Sequence, residues 1–376
     1  MATVRKRIRN GKMEGWVADY FDQHKKRHIK TFKREKDAKV WLDTVKIEVR
    51  TGVHAPERNS RTVSEAAELW LERGKTEGLE TSTLRQYRNH VDRHINPLLG
   101  GEKLAHLSTP MIEAAKDKLL ATASRPMSRK VLVSLKSILR DSRRRGLVAV
   151  NAADPVRVDA KKRERAKLLV GRDLPDKSEM TAIMAAAEGR WRPLIVTAAL
   201  AGLRASELRG LTWSACDFER RVIHVRQRAD LWGSLGRPKS EAGDREVPMT
   251  PTVYNTLRQW RLSAPPGELD LVFPNGNGNV ESHANICNRG WYAAQLATGV
   301  THHDGAKYNF HACRHFFASW AIEQGFTPKR LQTLLGHSSI QMTFDTYGHM
   351  FPSLEDDHAK FAVADAALMR VATKSA

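Results

Sequence analysis

The chain has 376 residues, enough for two or three domains with separate cores. Lysine and arginine total 62 against 42 acidic residues, a net charge of +20 with histidine neutral, on a chain that is 41% hydrophobic. That balance excludes a disordered polycation and favours a polyanionic partner. No apolar run reaches the ~18 residues of a membrane span, and the basic residues 1–10 are followed by no signal-like apolar run. Three dispersed cysteines (Cys216, Cys287, Cys313) exclude a disulfide scaffold and a Cys-rich zinc module. The expectation is a cytoplasmic, mainly α, multi-domain protein with no membrane contact.

Residues 1–58 read as a small sheet plus a helix. Residues 4–8 alternate and run into Asn10-Gly11, a hairpin turn in which both residues tolerate positive φ. Residues 15–21 and 27–32 supply two further strands. Ala38, Trp41, Leu42, Val45 and Val49 then form one apolar helical stripe. Sixteen basic residues stand against eight acidic ones here, +8 of the chain's +20. Arg5, Arg7, Arg9, Lys25, Lys26 and Arg27 could therefore line a basic face suited to a nucleic-acid groove, although a solvated charged sheet has the same composition.

After a polar connector (residues 51–61), residues 62–157 predict a helical domain. Thr62 and Glu65 have the spacing of a capping box, ahead of the stripe Val63, Ala66, Ala67, Trp70 and Leu71. A second helix over 82–96, bearing Arg85 and Arg88, is expected to stop at Pro97 and Gly100-Gly101. A third follows Pro110 and continues to residue 123. The fourth, 128–145, buries Leu132, Leu135 and Leu139 and ends at Gly146. Its other face carries Arg129, Lys130, Lys136, Arg140, Arg143 and Arg144, with Asp141 the only acid, as phosphate tracking would use. Residues 158–174 read as a linker, and 175–376 as a mostly helical domain in which 221–228 and 245–249 pair as a hairpin.

Three clusters in this last part are rich in cations and polar groups. In Gly202-Leu203-Arg204-Ala205-Ser206-Glu207-Leu208, an apolar helix ends at Gly202, Ser206 can cap the next helix, and Arg204 between them suits bidentate phosphate binding. An Arg204–Glu207 ion pair is the plain structural alternative. In Phe310-His311-Ala312-Cys313-Arg314-His315, His311 and Arg314 share a helix face. His311 and His315 also have the spacing of a zinc pair near Cys313, but Ala312 stands where a metalloprotease needs glutamate. The third cluster is Leu334-Leu335-Gly336-His337-Ser338 followed by Thr346-Tyr347-Gly348-His349, where Tyr347 alone would pass for a core aromatic.

Taken in chain order, Arg204, His311, Arg314, His337 and Tyr347 resemble the tyrosine recombinases, or phage-integrase family. The words around Arg204 with Leu211-Thr212-Trp213, the His-x-x-Arg-His box and the Leu-Leu-Gly-His box are all similar to that family's. The segment Pro238-Lys239-Ser240 to Val247-Pro248 resembles the hairpin that carries its lysine, here Lys239. Less distinctively, residues 62–155 resemble its core-binding domain and residues 1–58 the arm-binding domain of larger integrases.

The resemblance implies DNA cleavage by Tyr347 through a 3′-phosphotyrosine, with no metal and no cofactor. Arg204 and Arg314 would hold the non-bridging oxygens, Lys239 would act as acid, His311 as base, and His337 would bond the phosphate. Glu207 would orient Arg204 or a nearby histidine. It further implies a homotetramer on two double-stranded DNA sites of core and arm types, near the nucleoid, with a host DNA-bending protein and an excisionase as possible helpers. A tail helix with Phe361, Ala364 and Leu368 on one side would dock on a neighbouring subunit or pack in cis. A chromosome-dimer resolvase, a catalytically silent DNA-binding regulator and a metal-dependent hydrolase using His311, Cys313 and His315 remain as alternatives.

Overall fold

In the computed structural model, which describes residues 2–9, 12–22, 25–50, 60–159, 167–351 and 354–374, the alternating N-terminal segment forms an antiparallel sheet in the order β1-β2-β3. The strands are β1 (Thr3–Arg9), β2 (Lys12–Phe21) and β3 (Arg27–Phe32). The second strand begins three residues before the expected 15, because pairing with β1 continues past a bulge at Arg7/Ile8 to Arg9↔Lys12. Gly15 is required where it stands: its φ is +151° and a Cβ would lie 2.5 Å from the Phe32 carbonyl oxygen. The turn at Asn10-Gly11 lies outside the described residues. Helix α1 (Glu35–Arg50) covers one face of the sheet through Leu42 and Val45, which meet Ala18 and Tyr20, and Ala38 is buried as well.

The opposite face carries much of the basic charge, already partly matched. Arg5 and Arg27 both pair with Asp19, and Arg7 pairs with Glu14 at 3.2 Å. Arg9, Lys25 and Lys26 are exposed.

The chain divides into two units, Met1–Arg163 and Glu164–Ala376. Within the first, the helical part starts as the capping box requires: Thr62 Oγ1 accepts the Glu65 N–H at 3.2 Å, and the Thr62 N–H donates to the Glu65 carboxylate at 2.7 Å. Helix α2 (Val63–Thr76) follows, then α3 (Thr81–His90), a π-helical turn at Val91–Ile95 and α4 (Asn96–Leu99). The expected stop at Pro97 therefore does not occur. The wide turn bonds the Asn96 N–H to the Val91 carbonyl, and proline, with no N–H of its own, sits just inside the next turn. Gly100 ends the run instead.

Helix α5 (Thr109–Thr122) and α6 (Arg125–Arg144) complete this bundle. The latter starts three residues earlier than expected, since Ser124 caps it and Pro126 tolerates a first-turn position. Val131, Leu132, Leu135, Ile138 and Leu139 fill the core with Trp70, Leu71 and Ile112. Asp141, the acid expected on the basic face, is buried instead and pairs with Arg73, with Arg145 at 2.8 Å and with Arg144 at 3.7 Å. Arg129, Lys130, Arg140, Arg143 and Arg144 are exposed, Lys136 half-buried. Arg85 is exposed, while Arg88 is forked onto Glu68, at 2.8 Å for one arm. Val156 and Val158 still pack into this core; Leu168 and Leu174 pack into that of the second unit; residues 160–166 and the connector 51–59 lie outside the described residues.

The second unit is mostly helical. Helices α7 (Lys177–Ala186), α8 (Trp191–Ala201), α9 (Ala205–Arg209), α10 (Pro251–Arg261), α11 (His283–Asn285), α12 (Tyr292–Thr298) and α13 (Ala312–Glu323) surround a core of Leu194, Ile195, Ala198, Leu208, Val253, Leu257 and Trp291. A sheet in the order β4 (Cys216–Asp217), β5 (Val222–Val225) and β8 (Arg245–Pro248) includes the expected hairpin, with Val222↔Pro248 and Val225↔Arg245 in register. A small β6 (Arg228–Ala229) and β7 (Leu235–Gly236) pair lies within its long connection. Then come α14 (Pro328–Leu335), α15 (Ile340–Tyr347) and α16 (Leu354–Lys374). No helix among the described residues is long and apolar enough to cross a membrane.

Candidate active site

Four helix ends build the site. Helix α8 is apolar almost throughout and stops at Gly202, whose φ of +64° lets the chain reverse where a Cβ would overlap the Phe317 ring. Arg204, not Ser206, then occupies the N-cap of α9. The cap is made from the far side: the Glu207 carboxylate accepts the Arg204 N–H at 2.8 Å, so no short hydroxyl is needed. The same carboxylate takes Arg204 Nη1 at 2.7 Å, while Nη2 reaches the Gly336 carbonyl at 2.9 Å. The ion-pair reading and the ligand reading of Arg204 are thus compatible, because 34% of its side chain stays open.

Arg314, on the first turn of α13, is only 2% exposed. Its guanidinium donates to the Gly202 carbonyl at 2.8 Å and to the Leu335 carbonyl, two helix ends that leave carbonyls without intrahelical partners. Burial and the neighbouring Arg204 pull its pKa down to about 9, which leaves it protonated at neutral pH. His337 follows α14, is 8% exposed, and meets the Thr343 hydroxyl at 3.0 Å through Nδ1. Burial, then the charges of Arg314 and Arg204, hold its pKa at about 4. It is therefore neutral at neutral pH and can accept or donate according to tautomer.

Tyr347 ends α15 with 2% of its surface exposed, and burial raises its phenol to about 12 against the opposing pull of Arg314 and Arg204. Its hydroxyl lies 2.8 Å from His315 Nδ1. His311, at the N-cap of α13, has its ring edge-on to that of His315, centroids 4.8 Å apart. Its residue surface remains open, yet surrounding protein atoms, then His315, Arg314 and Arg204, lower its pKa to about 4. Lys239 is exposed on the turn between β7 and β8.

Two participants were not legible in advance. Arg245, inside the hairpin word, is buried and forks onto Glu207 at 2.9 and 3.2 Å, with Nε on the Leu334 carbonyl at 2.6 Å. Burial alone would raise the Glu207 pKa, but Arg245, then Arg204 and Arg314, hold it near 2. The carboxylate is thus an anionic post between two arginines and orients Arg204, while no described hydrogen bond joins it to a histidine. The second is His315, whose helical spacing from His311 suggested only a metal pair. The zinc set does not assemble: Cys313 is 1% exposed and packed in the core, its thiol pushed far up by burial, while His315 faces Tyr347. Among the described residues the group whose ligand atoms converge is instead Asp173, His302 and His303.

The fields of Arg314 and of the partly open Arg204 fall on both the buried Tyr347 phenol and the neutral His337, an arrangement suited to an anion. Residues 175–353 match the Phage integrase family, and this part of the chain is a tyrosine recombinase domain. It is 24% identical over 343 residues to the prophage integrase IntR of Escherichia coli K12, covering 79% of this chain and 78% of that one. It is also 28% identical over 164 residues to the transposase of transposon Tn916 from Enterococcus faecalis, 39% of each chain. The fold resembles the Tn1549 transposon integrase in complex with a circular intermediate DNA, with a TM-score of 0.66 at 19% identity over 81% of this chain and 100% of that one. It also resembles a lambda integrase dimer bound to a core site, TM-score 0.60 at 19% identity over 90% and 93%.

Proposed function

We propose that this recombinase integrates and excises a mobile element by cutting and rejoining double-stranded DNA through Tyr347. The observation that carries the reading is the enclosure of the Tyr347 hydroxyl, raised to about 12, within the fields of Arg314 and Arg204. A phenol held so firmly protonated must lose its proton as it attacks, and Arg314 and Arg204 beside it are suited to holding a phosphodiester. In the attack, Oη bonds to phosphorus while the 5′-oxygen leaves, giving a 3′-phosphotyrosine. Arg204 and Arg314 stabilise the charge that grows on the non-bridging oxygens, and His337 donates to one of them. Lys239 supplies the proton to the leaving oxygen, and the exposed hairpin turn suits a residue that must reach into a DNA backbone. Because the ester keeps the bond energy, a new 5′-hydroxyl reverses the step on another strand. The balance of charge is complete without a metal.

The N-terminal sheet, with Arg5, Arg7, Arg9, Lys25, Lys26 and Arg27, would bind arm-type sites. The α6 face (Arg129, Lys130, Lys136, Arg140, Arg143, Arg144) with Arg85 and Arg88 would track the core-site backbone. Relatives are seen as a dimer on a core site and as a tetramer on a Holliday junction, and a tetramer on paired sites is the assembly proposed here, with a DNA-bending protein and an excisionase as accessory partners. On α16, Phe361 and Leu368 are 74% and 68% exposed, which supports docking on a neighbouring subunit over packing in cis.

The test is to trap the covalent adduct in EDTA on nicked attachment-site DNA. Wild type gives a protease-sensitive, shifted band on a denaturing gel and Tyr347→Phe gives none. Specific binding of the site without an adduct from either protein would instead establish a silent regulator.

A further inference from the structure

The attack at Tyr347 has to dispose of a phenolic proton, and the surroundings of that proton are specific. The tyrosine is 2% exposed, its ring packed with Phe317, Leu331, Leu334 and Leu335, so bulk water has little access to Oη. The base expected from the sequence, His311, has its described ring contact with His315 and not with Tyr347. His315, one turn further along α13, places Nδ1 2.8 Å from Oη, with the two rings at 62° and centroids 5.7 Å apart. In the tautomer that carries its ring proton on Nε2, Nδ1 offers its lone pair to the phenolic O–H, the direction a base requires.

We propose that His315 Nδ1 takes the phenolic proton of Tyr347 as Oη attacks the scissile phosphate, and that His311 is a positioning residue that holds the His315 ring edge-on. This rests on the reading of Tyr347 as nucleophile and Lys239 as acid. The step balances as follows: the Oη–P bond forms, the P–O5′ bond breaks, the proton on Oη moves to His315, and a proton from Lys239 completes the 5′-hydroxyl. Rejoining returns both protons. The groups facing His315 are Tyr347 from α15 and Arg314 and His311 from its own helix. Burial, then Arg314, keep the free imidazole neutral at working pH. A phosphodiester arriving between the arginines brings the opposite charge that favours the imidazolium, so the base strengthens only when substrate is present.

The experiment measures single-turnover cleavage of attachment-site DNA by the full chain, with either oxygen or sulfur at the 5′-bridging position. Sulfur leaves without an acid, so it isolates the nucleophile's side of the reaction. His315→Ala should be slowed 10²- to 10⁴-fold on both substrates, the range of a lost general base. Its rate should climb tenfold per pH unit from pH 7 to 9.5, as hydroxide replaces the base, and added imidazole should restore part of it. Lys239→Ala should be slow on oxygen only. His315→Asn keeps a hydrogen-bonding atom near the Nδ1 position but cannot take up a proton, so it should be as slow as His315→Ala. Melting curves and DNA binding confirm that each variant is folded. An Asn variant within threefold of wild type would reduce His315 to positioning, and a hydroxide-dependent rise in His311→Ala in place of His315→Ala would return the base to His311. An adduct formed by Tyr347→Phe would overturn the nucleophile itself, a separate outcome from either.

Discussion

The cations of α6 and those around Tyr347 are chemically alike and physically opposite. On α6, six of the seven basic side chains stand in solvent, and the single acid in the helix has been withdrawn into the core to hold Arg73 and Arg145. In the second unit Arg314 and Arg245 are buried, and all of their described hydrogen bonds end on carbonyls or on Glu207. An exposed cation gains little from any one partner and is screened by salt; a buried one is costly unless fully matched. Clusters of positive charge therefore do two jobs here. One presents a diffuse, additive attraction, and the other builds a rigid, all-or-none socket.

The comparison breaks most readily at Glu207. Replacing it with alanine leaves Arg245 buried without its anion and frees Arg204 from its cap. Loss of one partner of a buried pair costs about 3–5 kcal/mol, a large part of the usual 5–15 kcal/mol of a domain. Urea melts should show the second unit unfolding much earlier and adduct formation falling at least a hundredfold; a shift below about 1 kcal/mol would mean the socket is not cooperative.

Acid should sharpen the contrast. His311, His315 and His337 stay neutral down to about pH 4 in the fold, against an ordinary value of 6.5. The unfolded chain thus binds more protons between pH 6.5 and 4, and stability is lost as pH falls through that window. Glu207, at about 2 against 4.5, adds a further loss below pH 4.5, in the same direction. The first unit has no such cluster beside His90, which burial lowers, so its urea midpoint should move less between pH 7.5 and 4.5. Equal shifts in both units would remove the distinction.

The smallest effect belongs to the open face. The double variant Arg143→Ala/Arg144→Ala should reduce the slope of log affinity against log salt by up to about 1.8, since each phosphate contact contributes about 0.9. Cleavage at saturating protein should be unchanged. A tenfold fall in that rate would show that these arginines do more than hold DNA.

How much of this was readable in advance follows from contact range. The capping box at Thr62 and Glu65, the α1 stripe and the hairpin in register at Val222 and Pro248 involve neighbours or strict alternation, and periodicity reports them. Pro97 misled because proline's cost depends on the geometry of the preceding turn, which a π-helical insertion changes. Ser206 misled because the cap at Arg204 came from Glu207, three residues after Arg204, and not from the nearest hydroxyl.

The sequence by itself determined the words that carry Arg204, His311, Arg314, His337 and Tyr347, the helical and sheet elements that bear them, and the placing of basic residues on one face of α6. These follow from residue identity and spacing along single elements. Only the tertiary structure decided that Arg245 shares Glu207 with Arg204 across 38 residues, that Asp141 is buried, and that His315 rather than His311 meets the Tyr347 hydroxyl across 32. The reason is that burial and pairing of a charge depend on which helix end or carboxylate the packed core brings against it.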